Sequence, residues 1–168
     1  MEALSEALDS PPLLVANSSE AADWLPGLEV RLDVVPGAGA LGGILTAVEA
    51  AAPVVCVAWD MPFVPAGLLR ELAAGLTSAD VVAPESDCPR GIEPLCAAYG
   101  PACAPAIRDA VARGDRCAVG FHSAVRVARL PAEAVLKYGD PGVLFINVNT
   151  PEDLQRAEAA CRDRGSSR

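Results

Sequence analysis

Apolar residues follow two different periods along this chain. Short, nearly continuous apolar runs closed by Gly, Pro, Asn or Asp are typical of buried strands, and they occupy residues 13–16, 30–35, 53–59, 80–83, 92–99 and 124–130. Apolar residues at helical spacing, with Pro near several ends, predict helices over residues 2–8, 44–52, 65–74, 102–113 and 151–162. Strands that alternate with helices of this length form βαβ units, so the pattern predicts an α/β fold with a mostly parallel sheet.

Length and composition indicate one domain. The chain has 168 residues, 52% of them hydrophobic, and it contains no internal repeat or low-complexity linker. This length is enough to bury a single core, which Ala, Val and Leu must build because aromatic residues make up only 4% of the chain. We predict one domain over residues 1–162 and a disordered tail over residues 163–168.

The charge balance restricts the partners that this chain can bind. Its formal net charge is -9 and its pI is about 4.5. Nucleic-acid binding is therefore not expected, because an acidic surface repels a phosphate backbone. A nucleoside triphosphate is still compatible with this charge, because a carboxylate can hold it through Mg²⁺.

Two further features bear on the location of the protein. No apolar run approaches the roughly 18 residues that a membrane-spanning helix needs, so no membrane association is expected. The six cysteines contain neither a CxxC pair nor a zinc-ligand spacing. Cys56 and Cys96 lie in or beside apolar runs, which is typical of core thiols in a reducing compartment. We therefore expect a cytoplasmic protein.

Asp60 directly follows the most apolar predicted strand, residues 53–59. Ligands of open parallel sheets bind at the carboxyl ends of the strands. This position makes Asp60 a candidate Mg²⁺ ligand. The alternative is a helix N-cap or a turn carboxylate, and the pattern leaves both interpretations open.

Residues 37–43 form a glycine-rich connection between a strand and a helix. Such backbone can approach an anion closely at a helix N-terminus. The glycine spacing differs from the common phosphate-binding signatures, and a tight strand-to-helix connection is the alternative. Asp33, at the end of the preceding strand, either hydrogen-bonds a ribose or base or is a solvated turn residue.

Asn147 and Asn149 precede the last predicted helix, whose first residues, Thr150 to Asp153, have the form of an N-terminal cap with Pro at the first helical position. One of the two asparagines is expected to reach a site, and the other to hold loops together. His122 is the single histidine. Because no nucleophile accompanies it in sequence, a packing or surface role is expected rather than catalysis.

Four phrases of this sequence resemble the molybdenum cofactor guanylyltransferase family. They occur in the family's order and at suitable spacing, and they cover nearly the whole chain: residues 33–43 (DVVPGAGALGG), 59–65 (WDMPFVP), 92–99 (IEPLCAAY) and 145–154 (FINVNTPEDL). The resemblance implies a Rossmann-like three-layer nucleotidyltransferase fold.

The resemblance also implies a reaction and its participants. The family joins GMP from GTP to the phosphate of molybdopterin and releases pyrophosphate, with Mg²⁺ as the cofactor. Molybdoenzymes or cofactor-maturation proteins are implied as further partners. The implied site residues are Asp60 for Mg²⁺ and catalysis, Asn17, Asp33, Gly37 and Gly39 for the nucleotide, and Asn147 and Asn149 for the molybdopterin side.

One departure from the family pattern changes what is expected. The family begins with a strand and a glycine-rich loop of the pattern LAGGxSxRxGxxK, which wraps the triphosphate, whereas Met1 falls in what would be the following helix. No basic residue of this sequence matches the Arg and Lys of that loop. We expect a truncated gene model that lacks roughly 25–30 residues, the size of a first βα unit. The predicted strands 13–16 and 54–58 then have unpaired edges, and the chain is expected to be unstable or self-associating.

Three functions fit this pattern. The first is the guanylyltransferase, impaired in the chain as it stands. The second is a related nucleotidyltransferase that uses CTP or another acceptor. The third is a non-catalytic relative that acts as a partner-binding module.

Overall fold

The structure is a computed structural model, and it describes residues 2–165. Each strand and helix that the sequence predicts is present, with bounds that differ by up to four residues, and two four-residue helices occur that the pattern does not reveal. The strands are β1 (Leu13–Ala16), β2 (Glu29–Leu32), β3 (Val54–Val57), β4 (Val81–Pro84), β5 (Cys96–Tyr99) and β6 (Val127–Leu130). The helices are α1 (Glu2–Leu8), α2 (Ala40–Ala51), α3 (Ala66–Gly75), α4 (Cys103–Ala112), α5 (Ala132–Val135), α6 (Pro141–Leu144) and α7 (Pro151–Gly165).

The strands form two sheets instead of one. Strands β1 and β2 are parallel, with Leu13 opposite Glu29. The larger sheet has the order β3-β5-β4-β6, in which β5 is antiparallel to both of its neighbours and β6 is parallel to β4. Three of its four strands therefore run in the same direction, which agrees with a mostly parallel arrangement.

The reversal of β5 has a local cause that the periodicity does not reveal. No helix separates β4 from β5, and a bridge between Glu85 and Ile92 continues the pairing into their connection. A connection without a crossover helix joins antiparallel strands, because parallel neighbours need a crossover. The absence of a helical pattern between residues 84 and 92 is thus the signal for this hairpin.

The larger sheet has a core on each face, which confirms the three-layer arrangement. Strands β4 and β5 are buried along their whole length. Alternate residues pack on opposite faces: Val81 and Tyr99 contact the side covered by α2 and α4, and Val82 and Cys96 contact the side covered by α3. Small side chains at residues 96–98 allow both helical layers to approach this central hairpin.

A groove separates the two sheets. It has a volume of about 1310 Å³ and is lined by residues of both β1 and β3, so each of these strands pairs on one side and borders the groove on the other. Side chains of α2, including Ile44, line one face, and side chains of α1 and α3, including Leu4 and Ala73, also line it. The groove runs from the carboxyl end of β3 to Asp80, which precedes β4.

The chain end differs slightly from the expectation. Helix α7 includes Gly165, three residues beyond the predicted end of the domain, and residues 166–168 of the expected tail lie outside the described residues. Within residues 2–165, no helix combines the length and the apolar character that crossing a membrane would require.

Candidate functional site

The carboxyl ends of β1, β2 and β3 meet at one mouth of the groove. Side chains or backbone of five of the seven predicted site residues line it: Asn17 after β1, Asp33 after β2, Gly37 and Gly39 before α2, and Asp60 after β3. The groove between the two sheets brings these residues together although they are far apart in sequence.

Asp60 is held in place by the segment that precedes α7. The side-chain amide of Asn149 donates a hydrogen bond to Asp60 Oδ2 over 3.0 Å. The backbone N–H of Val148 donates to the carbonyl oxygen of Asp60 over 2.9 Å. The carboxylate of Asp60 is therefore oriented by a residue 89 positions away in sequence.

The cap of α7 fixes Asn149 in turn. The backbone N–H of Asp153 donates to Thr150 Oγ1, and the Asp153 carboxylate accepts from the backbone N–H groups of Asn149 and Thr150. The hydrogen bond with the Thr150 side chain and the others at this cap lower the pKa of Asp153. This confirms the predicted helix start and shows how it positions the asparagine.

The two asparagines have different surroundings. Asn149 is hydrogen-bonded to Asp60. Asn147 lies two residues earlier and has no such contact with Asp60, and both asparagines are exposed and outside the groove lining. The expectation that one of the pair reaches the site therefore applies to Asn149, and Asn147 lies beside this contact.

Asp33 lies over the first turn of α2. A Cβ built on Gly42 or Gly43 would be about 4.0 or 3.9 Å from its carboxylate oxygens, which places the carboxylate within van der Waals reach of this turn. Thr46 holds this connection, because its buried hydroxyl accepts from the backbone N–H of Val34 and donates to the carbonyl of Gly42. Partial burial raises the pKa of Asp33.

The glycine-rich connection has backbone conformations that other residues avoid. Gly37 has a φ of 78° and Gly39 a φ of 63°. Arg116 lies against this connection, with Nη1 3.8 Å from the position of a Cβ on Gly37. Arg116 is exposed and has no carboxylate within ion-pair distance among the described residues. The fold thus brings a positive charge to the site from a loop after α4, and no motif in the sequence indicates it.

Glu93 is a second carboxylate near Asp60 that the sequence analysis did not select. Burial raises its pKa, the backbone N–H of Leu95 lowers it by donating a hydrogen bond, and the negative charge of Asp60 raises it again. Its position in the apolar phrase 92–99 is the signal that could have identified it, because a charged residue within a buried run usually has a partner or a function.

His122 does not line the groove, and Cys56 is the one described cysteine that does. The His122 ring packs edge-on against Phe121, with ring centroids 4.8 Å apart. This agrees with the predicted packing role. All five described cysteines are free thiols, and burial raises the pKa of Cys103 to about 11, which keeps this thiol protonated at neutral pH.

The oxygen atoms at this site fit a Mg²⁺ ion that a substrate also binds better than they fit a metal ion bound only by protein side chains. Among residues 2–165 no group of three or more His, Cys, Asp or Glu side chains could hold a metal ion. Mg²⁺ is commonly bound by one or two carboxylates together with substrate phosphates and water. Asp60 is a single carboxylate at the groove mouth, which is compatible with that kind of incomplete oxygen site.

The chain is similar to known proteins over most of its length. A model of the MobA-like NTP transferase domain matches residues 1–131. A protein of Pelotomaculum thermopropionicum named "Probable molybdenum cofactor guanylyltransferase" is 35% identical over 145 residues, which are 84% of this chain and 69% of that protein. A protein of the same name from Chloroflexus aggregans is 32% identical over 94% of this chain and 76% of its own length.

Solved structures show the same fold. Molybdopterin-guanine dinucleotide biosynthesis protein A from Archaeoglobus fulgidus superposes with a TM-score of 0.76 at 30% identity, over 90% of this chain and 78% of that chain. The 2-C-methyl-D-erythritol 4-phosphate cytidylyltransferase of Thermus thermophilus superposes with a TM-score of 0.62 at 20% identity, over 96% of this chain and 88% of that chain. At that identity the second similarity concerns the fold alone.

Proposed function

Because the chain belongs to the MobA-like NTP transferase domain family, and is thereby a nucleotidyltransferase, we propose that it transfers GMP from GTP to the phosphate of molybdopterin with Mg²⁺ as the cofactor. The names of its relatives in Pelotomaculum thermopropionicum and Chloroflexus aggregans support this substrate pair. CTP or another acceptor is the alternative within the same chemistry.

The observation that carries the proposal is the setting of Asp60. Its carboxylate lies at the mouth of a groove that Asp33, Gly37 and Gly39 also line, and Asn149 orients one of its oxygens. A nucleotide in this groove would have its triphosphate between Asp60 and the glycine-rich connection. Its ribose and base would then face Asp33 and Asn17, at the ends of the other two strands.

The reaction needs positioning and charge neutralisation more than a protein nucleophile. A phosphate oxygen of the acceptor attacks the α-phosphorus of GTP, a new P–O bond forms, and the bond to the β-phosphate oxygen breaks, so that pyrophosphate leaves. Mg²⁺ held by Asp60, with Glu93 close by, would supply positive charge to the reacting phosphates.

The chain's own residues hold the reactants in this arrangement. Arg116 and the backbone of residues 37–39 face the polyphosphate, and the helix N-terminus of α2 favours an anion there. Asn149 keeps Asp60 oriented, and exposed Asn147 beside it is assigned to the acceptor. Arg116 contributes positive charge beside the glycine-rich connection.

Substitution of Asp60 tests the proposal. Asp60→Asn keeps the size of the side chain but removes its charge, so the transfer rate with GTP, molybdopterin and Mg²⁺ should fall by about 100-fold or more, in the range of lost transition-state electrostatics. The measurement is pyrophosphate release together with formation of the dinucleotide cofactor. Parallel reactions with CTP decide the nucleotide.

Asp109→Asn is the matched control, because Asp109 is an exposed carboxylate on α4 that does not line the groove. Its turnover should equal that of the unmodified chain. Equal turnover of Asp60→Asn and Asp109→Asn would remove Asp60 from the mechanism. A folded chain that ignores both nucleotides but captures a molybdoenzyme would favour the partner-binding alternative.

A further inference from the structure

The two tryptophans of the chain stack on each other at the mouth of the groove. Their ring centroids are 5.4 Å apart and the ring planes are inclined by 27°. Trp24 follows the 3₁₀ turn Ser19–Asp23 after β1, and Trp59 directly follows Ala58 after β3. The pair therefore spans the groove from one sheet to the other, and both residues line it.

Trp59 is far more exposed than its chemistry favours. Its exposed fraction is 75%, and that of Trp24 is 49%. Burial of an indole is a large source of hydrophobic stabilisation, so folding alone would favour a more enclosed position. Of the six large hydrophobic side chains that are exposed within the described part of the chain, Leu32, Val34 and Trp59 lie at the ends of β2 and β3, and Trp24 stacks on Trp59. The apolar exposure is thus concentrated at one edge.

The backbone holds both rings in these positions. The N–H of Trp24 donates to the carbonyl of Ala21, which is fully buried. On the other side, the N–H of Ala58 donates to Leu95 and the N–H of Met61 donates to Ala58, so the turn that carries Trp59 is fixed at two points. A ring that is already oriented loses little conformational freedom when a second ring stacks on it.

The polar groups beside the two tryptophans indicate which class of ligand could stack on Trp59. Asp60 is the next residue in the chain, and Asn17 and Asp33 line the same groove. Flat heterocycles with hydrogen-bonding edges match this combination, because indole stacks on their faces while amide and carboxylate groups bind their edges. No other aromatic side chain lines the groove in the described residues.

We propose that the exposed face of Trp59, supported by Trp24, is a stacking platform for the fused bicyclic heterocycle of a substrate, guanine or pterin. This inference rests on the proposed function for the identity of the two heterocycles. Trp59 is in this assignment a substrate-positioning residue and takes no part in proton or phosphoryl transfer.

Fluorescence tests the platform directly, because Trp24 and Trp59 are the only tryptophans of the chain. Titration of the full chain with guanosine, with pterin and with inorganic tripolyphosphate separates stacking from phosphate binding. Guanosine or pterin should bind and quench the emission, and tripolyphosphate should not quench it. Calorimetry on the same samples gives the affinities. Quenching by guanosine alone assigns the platform to the nucleotide, and quenching by pterin alone assigns it to the acceptor.

Variants identify the ring that carries the binding. Trp59→Ala should weaken binding of the quenching heterocycle about tenfold, within the range measured for loss of one base-stacking ring, and Trp59→Phe should retain most of the affinity. Leu136→Ala is the control, because Leu136 is exposed and does not line the groove. Unchanged affinity in Trp59→Ala would overturn the platform, as would absence of binding by both heterocycles.

The same variants separate this inference from the proposed function. If Trp59→Ala binds both heterocycles and turns over GTP as the unmodified chain does, the platform fails and the function stands. If no nucleotide transfer occurs but guanosine binding depends on Trp59, the function fails and the platform stands. Asp60→Asn should lose transfer and keep guanosine binding.

Discussion

His122 illustrates how burial changes the charge of a single side chain in this protein. Its Nε2 atom is buried without a hydrogen-bond partner in the described structure, and its ring lies against Phe121. Burial lowers the pKa of His122 to about 4, and the positive charge of Arg129 contributes in the same direction. The folded protein therefore keeps this ring neutral over a range in which the unfolded chain binds a proton.

This pKa difference predicts how stability depends on pH. The unfolded chain binds a proton near the ordinary histidine pKa of 6.5, and the folded chain does so only near 4. The contribution of His122 to stability is thus fully present above pH 6.5 and is lost as the pH falls towards 4. For a ring that is not fully enclosed we expect a loss of about 1–2 kcal/mol.

The variant His122→Phe should remove this dependence, because phenylalanine does not titrate and retains an aromatic contact with Phe121. The free energy of unfolding in urea at pH 7 and pH 5 is the measurement. The difference between the two pH values should be smaller in the variant than in the unmodified chain. An equal difference in both proteins would contradict the assignment of this effect to His122.

At the scale of elements, α2 and the N-terminal cap of α7 hold the segments that carry the site residues. Helix α7 places Asn149 against Asp60 through the hydrogen bonds of Thr150 and Asp153. Helix α2 holds the connection after β2 through Thr46, whose hydroxyl joins Val34 to Gly42. Side chains of α2 and of the segment before α7, and not the strands alone, therefore fix the backbone next to Asp33 and the carboxylate of Asp60.

Thr46→Val should loosen the connection that carries Asp33. Valine has nearly the same shape but no hydroxyl, so the N–H of Val34 loses its partner and stability should fall by about 1–2 kcal/mol. We also expect a several-fold rise in the KM for the nucleotide, since Asp33 precedes Val34. Chemical denaturation and steady-state kinetics measure the two effects.

Ser78→Ala is the control for this substitution. The Ser78 hydroxyl also bonds a backbone carbonyl, that of Gly75, but it is exposed after α3 and does not line the groove. Its loss should change stability by less than about 0.5 kcal/mol and leave the KM unchanged. Equal effects of the two substitutions would mean that the Thr46 contact does not organise the site.

At the scale of the whole molecule, the division of the strands into two sheets leaves strand edges unpaired in the described structure. Strands β1 and β3 each border the groove with an edge that no strand pairs in the described structure, and their side chains are apolar. Unpaired apolar edges are templates for added strands. The isolated 168-residue chain is therefore expected to self-associate with rising concentration.

Val15→Lys should reduce this association, because a lysine on a groove-facing strand disfavours the addition of another apolar strand. Val15 lines the groove between the sheets. Light scattering after size-exclusion chromatography measures the mass over a concentration series. Leu136→Lys adds the same charge at an exposed position outside the groove and should associate as the unmodified chain does. A monomeric unmodified chain at all concentrations would contradict the prediction.

The sequence alone was sufficient to predict most of the secondary structure and part of the site. The apolar runs predicted all six strands, because a buried strand needs a continuous apolar segment closed by turn residues. The cap at residues 150–153 was recognised from its residue types, because its hydrogen bonds join neighbours in sequence. The position of Asp60 after the most apolar strand was enough to place it at the edge of the sheet.

Only the tertiary structure decided which distant residues meet. The contacts of Asp60 with Asn149 and of Gly37 with Arg116 join segments 89 and 79 positions apart, and no periodicity encodes such pairs. The stacking of Trp24 on Trp59 and the closeness of Glu93 to Asp60 are of the same kind. Sequence patterns report which face of an element is buried, because burial acts on each residue separately. The direction of a strand and the partners of a side chain depend on how the elements pack, and that is a property of the whole fold.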